Sequence, residues 1–208
     1  MTAEIPVPVL RIGALASIVS GVLLIAGFAL HPAGEDATFG TDPLWVPAHS
    51  LLWAAFTVVL LGWTALYAAQ AAEAGRLGAV AFVVIILGTS LASWIFSSDV
   101  TFVPVIAAES PALFKAIFSG GHLFVGIASV LSWVAGNVLF GISVVRAKVF
   151  PRGAGLLLAV GTVIVPITYL AGLPVRVTAL GAALAGVGQV WLGVALLRSL
   201  RPRAAPIS

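Results

Sequence analysis

Six strongly apolar stretches without an internal charged residue dominate this chain of 208 residues. A helix that crosses a bilayer needs about 20 mostly apolar residues, because the hydrocarbon is about 30 Å thick and each helical residue rises about 1.5 Å. Each stretch is close to that length or longer, which predicts six membrane-spanning helices. Their approximate bounds are 12–30, 48–70, 77–96, 116–145, 153–173 and 177–197.

The composition agrees with a protein that lies within a bilayer. Hydrophobic residues make up 61% of the chain and charged residues only 8%. We therefore predict an all-α fold, a polytopic membrane protein whose residues 1–208 form a single transmembrane helical domain with the lipid bilayer as its main partner. The net charge of +3 does not indicate nucleic-acid binding, because the bases lie at the ends of the apolar stretches rather than in one patch. The absence of cysteine excludes disulfides and thiolate ligands.

The distribution of bases predicts how the chain is oriented. Eight of the ten Lys and Arg residues fall on one side of the six stretches, and only Lys115 and Arg176 fall on the other. The positive-inside rule then predicts cytoplasmic N and C termini in a bacterial inner membrane. The eight residues are Arg11, Arg76, Arg146, Lys148, Arg152, Arg198, Arg201 and Arg203.

Similar sequences recur at the ends of the apolar stretches. Arg11, Arg76 and Arg152 are each followed by small and aliphatic residues, whereas Arg146 and Arg198 each close a Gly-containing stretch. This pattern favours three tandem helical hairpins in the same orientation. The alternative is that a base at a membrane edge next to small residues is a general feature of membrane helices. Gly and Ala are abundant in these helices, and such faces can pack within one bundle, in a homo-oligomer or against a membrane-protein partner.

All three histidines and one aspartate map to the side opposite the bases. His31 ends the first stretch, His49 begins the second, Asp99 follows the third and His122 lies early in the fourth. The ends of neighbouring helices in a bundle are about 8–10 Å apart, which lets inward-pointing side chains meet. Imidazole and carboxylate groups are ordinary zinc ligands, so the sequence predicts a divalent metal site made of these four residues.

Each of these residues also has a structural explanation. Pro32 directly after His31 is typical of a helix end, and a histidine at the membrane interface can bind loop carbonyls. If the site is catalytic, a metal-activated water would attack a lipid-like substrate, with Asp36, Asp42 or Glu109 as candidate general bases. Two other hypotheses are a b-type haem held by two of the histidines, and a non-catalytic accessory or ligand-binding subunit.

The interiors of the stretches contain no Asp, Glu, Lys or Arg. Their most polar central residues are Ser129, Ser132, Asn137 and Gln189. Transport of ions or polar solutes normally requires an ionisable residue or an unwound helix at this depth, so the sequence does not favour a transporter.

The region around the fourth and fifth stretches carries one resemblance. Leu139-Phe-Gly-Ile, Arg146, Val149-Phe-Pro-Arg152 and Gly155-Leu-Leu-Leu together resemble a cytoplasmic loop of uncharacterised small multi-pass membrane proteins of bacteria. The resemblance covers about thirty residues and implies a bacterial inner-membrane protein. It implies no activity and no site residues.

Overall fold

The computed structural model describes residues 5–32 and 39–201, and every regular element in these two ranges is helical. This confirms the predicted all-α class. In chain order the helices are α1 (Val7–Leu30), α2 (Trp45–Thr101), α3 (Val103–Glu109), α4 (Pro111–Ser119), α5 (Gly121–Ala147), α6 (Arg152–Leu170) and α7 (Val175–Ser199), with a short 3-10 turn at Phe39–Thr41 before α2.

Four of the described helices are long and apolar enough to cross a membrane. They are α1, α2, α5 and α7, and α6 is apolar but shorter over its described part, Arg152–Thr168. Because a bilayer core requires about 20 apolar residues per crossing, these helices indicate a membrane protein.

Helix α2 reverses its direction at Gly75. This residue has φ 55° and ψ −148°, a conformation outside the helical region that is essentially restricted to glycine. The chain before it (residues 45–74, the first arm) and the chain after it (residues 76–101, the second arm) are both helical. The predicted break between residues 70 and 77 is therefore one glycine rather than an extended loop.

The two arms of α2 pack side by side along their length. The rings of Tyr67 and Phe82 stack with centroids 4.5 Å apart near the reversal. Further away, the hydroxyls of Thr57 and Ser93 share a hydrogen bond of 2.8 Å. Pairs that lie symmetrically about Gly75 thus meet, as in a helical hairpin.

The fourth predicted stretch is interrupted. The sequence predicts one helix over residues 116–145, but α4 ends at Ser119 and α5 begins only at Gly121. Gly120 between them has φ −108° and ψ −130°, which is not helical. Two consecutive glycines have low helix propensity, and this local preference outweighs the apolar character of the segment.

The long helices form a closed ring. Helix α1 contacts α2, the second arm of α2 contacts α5, α5 contacts α6, α6 contacts α7, and α7 returns to α1. Glycines allow close approach at these contacts: a Cβ on Gly193 would lie 2.7 Å from the Ala14 carbonyl, and a Cβ on Gly141 would meet the Gly155 carbonyl. Lipid provides no hydrophobic drive for helix association, so close backbone packing contributes much of the stability.

One end of the ring, the basic end, contains most of the charges. Leu10, Phe150 and Leu200 pack in one cluster there, and each lies within two residues of a base. Trp63 and Phe140 fill the middle of the same cluster, with ring centroids 5.2 Å apart.

The opposite end is covered by the two short helices. Trp45 at the start of α2 packs with Val103 and Ala107 of α3 and with Phe114 of α4. Gly40 of the 3-10 turn lies against Ala107 as well. We call α3, α4 and this turn the cap, and the end that they cover the capped end.

Candidate functional site

The capped end brings two histidines together. His31 follows the last residue of α1, where its extended backbone (φ −60°, ψ 130°) leads into Pro32. His49 lies in the first turns of α2, and the two imidazole rings have centroids 4.8 Å apart. The two predicted ligands are therefore neighbours at this end, and their common metal site stays a prediction.

The orientation of the His49 ring follows from its hydrogen bond. Its Nδ1 lies 2.8 Å from the backbone carbonyl oxygen of Trp45. A carbonyl only accepts, so Nδ1 carries the proton and donates. The other ring nitrogen, Nε2, faces the carboxylate of Asp99 at 3.8 Å from Oδ2.

The His49 and Asp99 side chains are both withdrawn from solvent, with 3% and 8% of their surface exposed. Asp99 lies in the last turn of the second arm of α2, so the reversal at Gly75 brings it beside His49 across fifty residues of sequence. At 3.8 Å the two atoms are too far apart for a direct hydrogen bond but close enough for strong electrostatic interaction. The sequence indicated both residues as candidates. The contact between them became visible only in the fold, through the reversal of α2.

Trp45 covers the His49–Asp99 pair on the side of the cap. Its indole stacks on His49 with centroids 3.7 Å apart, and its Nε1–H donates to the Asp99 carbonyl oxygen at 2.8 Å. The same indole packs against the cap through Val103 and Phe114. We call His31, Trp45, His49 and Asp99 the His–Asp cluster.

His122 does not join the other three predicted ligands in the contacts that the structure describes. It lies at the second residue of α5, and its described ring contact is with Trp94 at 6.1 Å. Within residues 5–32 and 39–201, no group of three or more His, Asp or Glu side chains is placed to hold a metal ion. The four-ligand zinc site therefore stays a prediction.

Two of the three predicted general bases, Asp42 and Glu109, lie in or near the cap. Asp42 accepts a hydrogen bond of 2.7 Å from the Leu44 backbone N–H, which stabilises the turn before α2. Glu109 is exposed at the end of α3. Asp36 lies outside the described residues. Asp42 therefore has a structural role, and both described acids lie outside the His–Asp cluster.

A small cavity in the middle of the ring is a second feature of interest. Five helices line it, and its polar side chains are Ser20, Asn137, Thr162 and Gln189. The volume in which the centre of a water molecule can lie is about 10 Å³. This is enough for about one water molecule. The sequence indicated Asn137 and Gln189 as polar central residues, but no sequence signal placed them beside a common space.

Aromatic rings connect the cluster to this cavity. Phe96 contacts His49 on one side, with centroids 5.8 Å apart, and Phe56 on the other at 5.0 Å. Phe56 in turn contacts Trp133 at 5.4 Å, and both line the cavity. The packing between the capped end and the middle of the ring is therefore continuous.

Comparisons of the chain with protein-family models, with curated proteins and with solved structures found no match.

Proposed function

We propose that this chain crosses a bacterial cytoplasmic membrane six times, with both termini and the basic end in the cytoplasm. The two arms of α2 and the 19-residue helix α6 supply the crossings beyond α1, α5 and α7. An even number of crossings leaves both ends of the chain on one side. The concentration of bases at one end of the ring supports the orientation.

We propose further that the protein responds to protons on the outer side of the membrane through the His49–Asp99 pair. The observation that carries this proposal is the orientation of His49, whose Nε2 faces the Asp99 carboxylate while its Nδ1–H is held by the Trp45 carbonyl. An imidazole and a carboxylate this close interact electrostatically, so the protonation of one group affects the other. Buried ionisable groups in membrane proteins commonly mark proton-handling sites.

The surroundings of the pair allow its protonation to affect packing. The titratable group that faces it from α1 is His31, whereas the cap presents the apolar side chains of Val103, Ala107 and Phe114 to Trp45. A change of charge at the pair would therefore act on the Trp45 stack and, through it, on the cap. The expected consequence is a capped end whose packing depends on external pH.

Histidine-selective NMR tests this proposal, because the chain has only three histidines. We expect the His49 ring signals to change with pH as the Asp99 carboxyl beside them gains or loses its proton. Asp99→Asn removes the carboxylate and should abolish that pH-dependent change. In His122→Gln, a matched control that removes the histidine next to Trp94, the change at His49 should persist. A His49 signal that does not respond to pH in the unaltered protein would refute the proposal.

A divalent metal bound by His31, His49 and Asp99 is the second candidate. A metal-bound histidine usually donates its other ring N–H to a carbonyl or carboxylate, as His49 does to Trp45. Two ligands of a tetrahedral zinc ion stand about 3.4 Å apart, close to the 3.8 Å between His49 Nε2 and Asp99 Oδ2. His31 would have to turn toward this space. Zinc added to the same NMR sample should then shift the His31 and His49 signals and leave His122 unchanged.

A further inference from the structure

We infer that the central cavity is a binding site for one ordered water molecule, held in the middle of the membrane-spanning ring. The cavity has room for about one water molecule, because the volume open to the centre of a water is about 10 Å³. Its lining is mixed, with four polar side chains among aromatic and aliphatic ones. A cavity of this size stays dry when it is wholly apolar and takes up water when polar groups lack partners.

The indole of Trp63 supplies such a group. Trp63 lines the cavity, only 1% of its surface is exposed, and its Nε1–H has no hydrogen-bond partner among the described residues. An indole N–H can only donate, and leaving it buried without an acceptor costs free energy. An acceptor in the cavity would remove this cost.

Two carboxamide groups supply acceptors for the same molecule. Asn137 Nδ2 donates to the Trp133 carbonyl at 2.8 Å, so its Oδ1 is the atom that remains for another donor. Gln189 Nε2 donates to Ser20 Oγ at 2.7 Å, so its Oε1 remains likewise. Within residues 5–32 and 39–201 no donor is described for either oxygen.

The assignment of these amide groups follows from their partners. The Trp133 carbonyl cannot donate, and Ser20 Oγ already donates to the Ala55 carbonyl at 2.8 Å, so in both contacts the amide nitrogen must be the donor. Three of the residues that line the cavity, Trp63, Asn137 and Gln189, thus carry one unpartnered N–H and two side-chain oxygens without a described donor. One water that accepts from Trp63 and donates to Asn137 and Gln189 would make three hydrogen bonds, the usual number for a buried water.

Cross-relaxation NMR between water and the six indole N–H groups tests the inference. Loss of one signal in Trp63→Phe assigns the Trp63 indole. We expect a cross-peak from this indole N–H to a water of long residence time. If the Trp63 indole shows contacts to side-chain protons only, the cavity is dry and the inference is wrong.

Asn137→Leu tests which residues hold the water. This variant removes one acceptor with little change of shape and should abolish the water cross-peak of Trp63. Thr64→Val is the matched control, because Thr64 is exposed on the outer surface of the first arm of α2 and bonds only the Leu60 carbonyl at 2.8 Å. If the cross-peak survives in Asn137→Leu, the water is bound elsewhere and the assignment fails. Should Asn137→Leu not fold, Gln189→Leu provides the same test from α7.

Discussion

At the scale of single residues, the sequence predicted that His31, His49, Asp99 and His122 lie near one another at one end of the bundle. It did so because their places in the chain imply a common depth. It could not predict that His49 Nδ1 would bond the Trp45 carbonyl while Nε2 faces Asp99. This arrangement depends on the turn before α2 and on the reversal at Gly75. The described ring contact of His122 is with Trp94, and its place in the four-residue site stays a prediction.

Trp45→Phe tests the residue that closes the cluster. Phenylalanine keeps a ring over His49 but removes the Nε1–H that donates to the Asp99 carbonyl. The net loss of one buried hydrogen bond is about 1 kcal/mol, so the thermal unfolding midpoint in detergent should fall by a few degrees. Trp94→Phe is the control, since half of the Trp94 surface is exposed, and it should unfold close to the unaltered protein. Equal midpoints for all three proteins would contradict a closing role for Trp45.

At the scale of helices, apolar length predicted most elements well, because burial in lipid requires uninterrupted apolar runs. The bounds of α1 and α7 differ from the predicted ones by a few residues only. Glycine decided two of the places where prediction was incomplete. Gly75 reverses α2 without an extended loop, and Gly120 ends α4 inside a stretch that is apolar throughout. Hydropathy averages over such single residues and therefore misses them.

Gly75→Ala tests the reversal. A Cβ at this position would meet no atom within 4 Å, so the substitution introduces backbone strain without a clash. A non-glycine residue in this conformation costs about 1–3 kcal/mol, and we expect that loss in the free energy of unfolding. Gly126→Ala, where the added Cβ also meets nothing but the backbone is helical, should cost nothing or stabilise the protein slightly. If Gly75→Ala and Gly126→Ala have the same free energy of unfolding, residue 75 does not adopt this positive-φ conformation in solution.

At the scale of the whole molecule, the ring order of the helices follows the order of the chain. The sequence predicted small residues at helix contacts but not which helices meet, because glycine-rich faces carry little information about their partners. One detail supports the predicted repeat. Gly141 packs on the residue three positions after Arg152, and Gly193 packs on the residue three positions after Arg11. The contact between the second and third proposed hairpins therefore uses the same register as the contact between the third and the first.

Cysteine labelling tests the proposed topology, since the native chain contains no cysteine to interfere. Glu73→Cys places an exposed thiol at the basic end, and Glu109→Cys places one on the cap. A membrane-impermeant maleimide added to spheroplasts should label Glu109→Cys and leave Glu73→Cys unlabelled until the membrane is opened. The reverse pattern, or labelling of both in closed spheroplasts, would contradict cytoplasmic termini and six crossings.

The contact between α1 and α7 has a consequence for how the protein is made. Ser17 and Ser20 of α1 bond Gln189 of α7, so these contacts form only once the segment that carries α7 has been synthesised. Until then Ser17 lacks its partner on α7, whereas Ser20 can already donate to the Ala55 carbonyl of α2. Truncated products that end before α7 should accordingly be prime substrates for membrane quality-control proteases.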